Sequence, residues 1–324
     1  MKAFHLIGCA LAVWTLAVTR ADASTLYGAT SAGGPGELWI IDQATGTGIQ
    51  DVGPLNDSSS VNYAVTGLAF NPITGVLYGS TGNTSGQKLL TIDPATALVT
   101  VVGSFNTGTN GNTMSDLAFD PNGNLFGVGS SAHAALYSIN LATGQATYIG
   151  PSGEPYTAGG GLAISPGGVF YGTPIQTDFG TYDPITGAFT FIANPPRPGG
   201  ALTSYASLAF DGNTLYAMNL ATPTHLVTID PSGNVTEIGP SVTSIDAIAF
   251  QPTPVQPALT IQRVTNSVVL SWPASAIGYR LQQNTNLVTS TWVSNQNAIM
   301  ITNGTKQVTV TNVTGNKFFR LINP

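Results

Sequence analysis

Between Val65 and Gly103 the apolar residues fall into four short runs separated by turn residues. Thr66-Gly67-Leu68-Ala69-Phe70 is followed by a turn at Asn71-Pro72-Ile73-Thr74-Gly75 and then by Val76-Leu77-Tyr78-Gly79. A polar loop leads on to Leu89-Leu90-Thr91-Ile92-Asp93, a second turn at Pro94-Ala95-Thr96, and a last run from Leu98 to Gly103. Apolar runs of this length, bounded by Gly, Pro and Asn, predict a four-stranded antiparallel sheet.

The unit repeats. A Leu-Ala-Phe run recurs as Leu68-Ala69-Phe70, Leu117-Ala118-Phe119, Leu162-Ala163-Ile164, Leu208-Ala209-Phe210 and Ile248-Ala249-Phe250. A Leu-Tyr-Gly run recurs as Leu26-Tyr27-Gly28, Leu77-Tyr78-Gly79, Leu125-Phe126-Gly127, Phe170-Tyr171-Gly172 and Leu215-Tyr216-Ala217. Like landmarks lie 40 to 51 residues apart, near the period of a propeller blade. Third runs end in Asp42, Asp93, Asn140, Asp183 and Asp230, each opening a turn. The chain is therefore expected to be all-β, with a five-bladed β-propeller of four-stranded blades. Its first repeat strand (Leu26) is of the second kind and its last (Ile245 to Phe250) of the first. One blade would then be completed by strands from the two ends, leaving no open sheet edge.

The pattern G-L-A-F-(D/N)-P followed by L-Y-G, I-D-P and T-G resembles secreted bacterial propeller repeats of the YVTN and NHL type, over residues 25 to 252. The resemblance implies a fold, not a chemistry, because propellers host binding modules, hydrolases, lyases and scaffolds alike.

After Pro252 the period changes. Residues 253–257 read as a proline-spaced linker. Short runs follow at Leu259-Thr260-Ile261, Val268 to Trp272, Tyr279 to Gln282, Thr291-Trp292-Val293, Ile299-Met300-Ile301, Val308-Thr309-Val310 and Phe318 to Leu321. They predict a small Ig- or fibronectin-III-like β-sandwich over 258–324, with Trp272 in its core. The series Leu270-Ser271-Trp272-Pro273, Gly278 to Gln282, Asn286-Leu287, Trp292 and Phe319-Arg320-Leu321 resembles a C-terminal module appended to many secreted bacterial proteins.

Composition agrees with an extracellular all-β chain. With 42% apolar and only 7% charged residues, disorder is excluded. Lys2, the apolar stretch Leu6 to Val18 and Ala21-Asp22-Ala23 read as a signal peptide over residues 1–23, cleaved after Ala23. The apolar stretch is too short to span a membrane. Leu6-Ile7-Gly8-Cys9 imitates a lipoprotein box, but its cysteine precedes most of the apolar stretch. Cys9 is the single cysteine, so a mature chain would have no disulfide and no thiol chemistry. Residues 24 to 252 hold fourteen acidic and two basic residues (Lys88, Arg197); residues 253 to 324 hold no acid and five cations, Arg263, Arg280, Lys306, Lys317 and Arg320. That separation points to docking of the module on its own propeller or to attachment to an anionic surface, with two independently solvated domains as the alternative. Nucleic acid is not an expected partner.

The repeated acids are expected to be turn residues, since Asp at the first position of a turn bonds nearby backbone N–H groups. Groups that break the repeat carry more information. Loops joining successive blades and those joining second to third strands share one face. There the ligand-binding candidates are Asp57, Tyr63, Tyr156, Arg197 and Tyr205, with Asn106, Asn110, His133, Asp178 and His225 nearby. The tyrosines would either stack on a sugar or peptide or pack as a lid. Asp116 stands where the other copies carry Gly67, Gly161, Ser207 and Ala247, and Asp246 lies one position earlier in its copy. An enzyme reading would use Asp116, Glu154 and Asp246 as paired carboxylates in a carbohydrate-active hydrolase or lyase. The structural alternative is that these acids accept backbone N–H bonds. Neither a G-x-S-x-G elbow, an H-E-x-x-H helix nor a phosphate loop occurs, and no metal or cofactor is expected. The leading expectation is a secreted, non-enzymatic propeller that binds a glycan, peptide or protein through its inter-blade loop face; a purely structural surface protein is a third reading.

Overall fold

The computed structural model describes residues 24–252 and 257–322, apart from segments 32–34, 83–85, 108–112, 131–133, 155–159, 175–177, 200–203, 265–266, 274–275, 277–278, 287–290, 303–304 and 312–314. Every regular element among the described residues is a β-strand. Among the described residues no helix is long and apolar enough to cross a membrane.

Strands β1 (Leu26–Thr30), β2 (Glu37–Ile41) and β3 (Gly48–Pro54) begin the first antiparallel sheet. The next sheet takes β4 to β7 in order: Val65–Phe70, Leu77–Thr81, Lys88–Ile92 and Val99–Ser104. Two more follow in the same way. They are β8 to β11 (Thr113–Phe119, Leu125–Ser130, Ala135–Ile139, Ala146–Pro151) and β12 to β15 (Leu162–Ile164, Phe170–Gly172, Phe179–Tyr182, Phe189–Ala193). A further sheet holds β16 to β19 (Tyr205–Asp211, Thr214–Asn219, His225–Ile229, Val235–Pro240). The last strand of this region, β20 (Ile245–Phe250), returns to the first sheet and pairs with β1, Leu26 opposite Phe250. The two ends of the repeat region therefore share one sheet.

Each Leu-Ala-Phe run is a first strand, and these strands pack in a cycle: β4 on β8, β8 on β12, β12 on β16, β16 on β20, and β20 on β4. The two sequence landmarks meet where neighbouring sheets stack. Tyr27 lies against Phe70 at 5.6 Å between ring centroids, Tyr78 against Phe119 at 5.5 Å, Tyr171 against Phe210 at 5.8 Å and Tyr216 against Phe250 at 4.8 Å. Each pair joins the second strand of one sheet to the first strand of the next. Such aromatic pairs add about 1 kcal/mol beyond their buried area, which gives the spacing of the landmarks a physical cause.

Because the strands alternate in direction, the turns after first and third strands emerge at one end of the ring and all other loops at the opposite end. The third-strand turns are built alike. The side chains of Asp42, Asp93, Asn140, Asp183 and Asp230 each accept the backbone N–H two residues on, at 2.7 to 2.9 Å. These carboxylates shape turns.

After β20 the chain forms two further sheets, one of four strands and one of three. One orders β21 (Thr260–Val264), β22 (Ser267–Pro273), β26 (Thr305–Thr311) and β25 (Met300–Thr302); the other orders β24 (Val293–Ser294), β23 (Arg280–Asn284) and β27 (Phe318–Ile322). Leu270, Trp272, Leu281, Val308 and Val310 are buried together between them.

Candidate functional site at the loop end of the ring

Two neighbouring layers of side chains define this end. In the deeper layer Asp116, on β8, is completely buried. Its Oδ2 accepts the backbone N–H of Leu162 on β12 at 2.9 Å and that of Leu208 on β16 at 3.1 Å, while Oδ1 accepts Leu117 N–H at 2.9 Å. Ser207 adds its hydroxyl to Asp116 and also accepts Ile248 N–H from β20 at 3.0 Å. Each of these amides belongs to the first residue of a Leu-Ala-Phe triplet, so one carboxylate and one hydroxyl tie four first strands together. Burial holds the Asp116 carboxyl well above its ordinary range, against the pull of the donated N–H groups. Room for it comes from glycine. A Cβ on Gly67 would lie 2.6 Å from Asp116 Cα, and one on Gly161 would lie 2.7 Å from Leu208 Cγ.

The outer layer lies one residue earlier and is set by β-bulges. Register shifts leave Thr66, Ser115 and Ala206 unpaired between their flanking residues, and Asp246 is skipped in the pairing of β20 with β1. A bulge re-aims the side chain that it releases. Thr66 Oγ1 donates to Met114 O of the next first strand at 2.7 Å. Ser115 Oγ is buried with no hydrogen-bond partner. The Asp246 carboxylate accepts the hydroxyl of Ser31, and burial pushes it up to about 6.

Around this mouth the loop residues form local pairs. Tyr63 Oη donates to Asp57 Oδ2 at 2.9 Å, with Lys88 Nζ 5.5 Å from the centre of the Tyr63 ring. Asp57 Oδ1 also accepts the N–H groups of Val61 and Ser59, and those bonds hold its carboxyl below its ordinary range. Tyr205 Oη donates to Pro196 O at 2.6 Å. Burial raises this phenol, and the nearby Arg197 guanidinium opposes the rise. Tyr63 and Tyr205 are only 4% and 2% exposed, so neither lays an open ring face on the surface. Glu154 is raised by burial and then by the charge of Asp178, which accepts Asn194 Nδ2 at 3.0 Å. His225 Nδ1 meets Glu237 Oε1 at 2.6 Å.

Sequence-predicted residues are thus joined as Asp57 with Tyr63 and as Arg197 with Tyr205. The carboxylate facing Glu154 is Asp178, and Asp116 is enclosed by backbone N–H groups and Ser207. Tyr156, His133, Asn110, the leader 1–23 and most of the linker lie outside the described residues. Ser31 and Ser115 escaped the sequence analysis: a single serine carries no signal until a bulge gives it a direction. Among the described residues no three His, Cys, Asp or Glu side chains converge as a metal site.

At the opposite end the same first strands enclose a funnel of about 120 Å³. Leu68, Leu117, Leu162 and Leu208 line it with the triplet residues that follow them, together with Pro72. Residues from every first strand contribute, as a closed cycle requires.

This architecture defines an all-β, propeller-like repeat protein. The family model described as Repeat of unknown function (DUF6923) matches residues 26–213, more than half of the chain, and the chain belongs to that family. No curated protein matches it. Similar solved structures include one titled as the nidogen/laminin complex, with 15% identity, 76% of this chain and 89% of that chain covered, and a TM-score of 0.48. TolB from Acinetobacter baumannii shows 17% identity, covers 78% and 61%, and has a TM-score of 0.45. A gluconolactonase from Xanthomonas campestris shows 16% identity, covers 76% and 83%, and has a TM-score of 0.42.

Proposed function

We propose that residues 24–252 form a five-bladed β-propeller whose loop end binds an extracellular glycan, peptide or protein, and that residues 258–324 form an Ig-like sandwich carried behind it. The cyclic packing of the first strands and the pairing of Leu26 with Phe250 support the ring. In this reading residues 1–23 direct export. One observation carries the binding role: the two ends of the ring differ in kind. At the turn end one side-chain-capped turn is used five times. Among the described residues, connections at the other end run from four residues (241–244) to ten (55–64) and bear different polar groups. A scaffold alone gains nothing from such variety, whereas recognition does. Arg197, Glu154 with Asp178, and His225 with Glu237 supply the polar contacts; Asp57, Tyr63 and Tyr205 hold the loops that carry them. The test is a glycan array and a pull-down from the extracellular fraction with the chain from Ser24 onward. Binding that falls at least tenfold in Arg197→Glu or Glu237→Ala supports the reading. Turnover of a polysaccharide without retained binding overturns it.

The hydrolase or lyase reading keeps one feature in its favour, the Asp246 carboxyl beside Ser31, which burial pushes up to about 6 and which would suit a general acid near that pH. It requires polysaccharide turnover that Asp246→Asn removes while ligand retention survives.

A further inference from the structure

We infer that the turn end of the ring is the docking surface for the chain's own basic C-terminal unit. The inference rests on the propeller reading for the position of the turns, but not on any ligand at the loop end. Six acids stand in these turns: Asp42, Asp93, Asp120, Asp183, Asp211 and Asp230. No Lys, Arg or His occurs in any of them, since both cations of the ring, Lys88 and Arg197, belong to the loop end. Backbone N–H bonds hold Asp183 below its ordinary range, so its charge persists into acid. The same turns expose aliphatic side chains. Ile185 is 84% exposed, Val169 is exposed in the other turn of the same sheet, and Ile73 and Leu98 are exposed in the turns of the β4–β7 sheet.

The C-terminal unit presents the complement. It has five cations and no acid. The two outer strands of its four-stranded sheet, β21 and β25, carry exposed isoleucines. At one edge Ile301 is 66% exposed directly opposite Lys306; at the other, Ile261 is exposed two residues from Arg263. Each outer strand thus sets an isoleucine beside a cation, the exposed Arg263 at one and Lys306, whose Nζ also donates to Ala276 O at 2.9 Å, at the other, and this pairing fits a surface of exposed aliphatics and carboxylates. A lipid headgroup layer would match the cations equally well, but the tether decides between them. The chain leaves the ring at Phe250, the turn-end terminus of a first strand, and reaches Leu259 through a proline-spaced stretch. At about 3 Å per residue the unit stays within about 25 Å of the acidic turns, at an effective concentration in the millimolar range.

The experiment compares the chain from Ser24 onward with a variant carrying Asp42→Asn, Asp93→Asn, Asp183→Asn and Asp230→Asn. Asn140 already makes the same N–H bonds at the equivalent position, so these changes remove charge and keep those bonds; at Asp230 the bond that Oδ2 accepts from Asn234 Nδ2 is given up as well. Small-angle scattering of the native chain should give a single compact particle, with a radius of gyration near about 19 Å at low salt. It should expand by several ångströms in the variant and in 1 M salt, where the Debye length is about 3 Å. Ile185→Ser should weaken docking without altering the charge. An equal radius in native and variant chains overturns the inference. So does dimerisation that scales with concentration, or retention of the native chain on vesicles of mixed phosphatidylcholine and phosphatidylglycerol through Lys306 and Arg263. Loss of ligand binding by Arg197→Glu leaves this result untouched, so the two readings fail separately.

Discussion

Asp116 and Asp246 sit on equivalent strands one register position apart, yet the fold uses them in opposite ways. Asp116 lies in the regular ladder, points across the ring and is saturated by amides from β8, β12 and β16. Asp246 is released by a bulge, accepts the hydroxyl of Ser31 and faces the mouth with a carboxyl pushed up to about 6 by burial. One is a fastener and the other is available for chemistry. Two acids at the entrance of an inner strand are therefore not a pair until the register is known.

Removing the fastener gives the largest effect. Asp116→Ala strands three buried N–H groups and opens a hole at the centre of the ring. At about 1–3 kcal/mol for each orphaned donor, partly relieved by entering water, the loss should be about 4 kcal/mol. Asp246→Ala should cost less than about 1 kcal/mol at neutral pH. Urea denaturation of both variants measures the difference, and equal losses would erase the distinction between the layers.

Gly67→Ala attacks the same layer from the neighbouring strand. Its Cβ would lie 2.6 Å from a backbone atom of Asp116, which no rotamer change relieves. A loss of about 3 kcal/mol is expected. The double variant Gly67→Ala with Asp116→Ala should lose close to the sum of the two, since the Asp116 Cα and Leu117 N that the methyl group meets are still there when the carboxyl is gone.

The ring was legible in the sequence because its cause is local and repeated. The Leu-Ala-Phe and Leu-Tyr-Gly runs are spaced so that the aromatic of one sheet reaches that of the next at four of the five junctions; at the other, where Ile164 stands in place of the phenylalanine, Phe126 meets Phe170. The turn acids were legible for the same reason. The mouth was not. A bulge leaves no mark in a hydrophobic pattern, so nothing in the chain told which of Ser115, Asp116 and Asp246 turns toward solvent. Tyr63 and Tyr205 read as exposed platforms or as a lid because each precedes a first strand; their burial depends on loops that fold over them. Asp116 could be found as a break in a column of Gly, Ser and Ala, although its role could not.

Protonation sharpens the contrast between the layers. The folded state holds Asp246 near 6, above the ordinary carboxylate value of about 4, so the folded chain binds this proton more tightly than the unfolded one. Its contribution is complete below about pH 4 and is lost as pH rises through about 6. Asp116 and Glu154 are raised as well and add slope of the same sign. Melting followed from pH 4 to pH 7 should show stability falling, with Asp246→Asn flattening part of the curve. An unchanged slope in that variant would mean that the Asp246 carboxyl is fully hydrated at the mouth.

The smallest effect calibrates the rest. Asp93 shows neither behaviour: its Oδ1 accepts Ala95 N–H at 2.9 Å and its Oδ2 accepts Thr96 Oγ1 at 2.9 Å, both in water. Asp93→Ala should cost about 1 kcal/mol, the usual worth of an exposed turn bond. Asp93→Asn should cost almost nothing, because Asn140 closes the equivalent turn through the N–H groups of Ala142 and Thr143. The charge of a turn acid is thus separable from its hydrogen bond, whereas at Asp116 the two cannot be parted: an amide there would set an N–H group against one of the donors that the carboxylate now accepts. If Asp93→Asn proved as costly as Asp116→Asn, the carboxylates of the turns would be needed for folding and not only for what they attract.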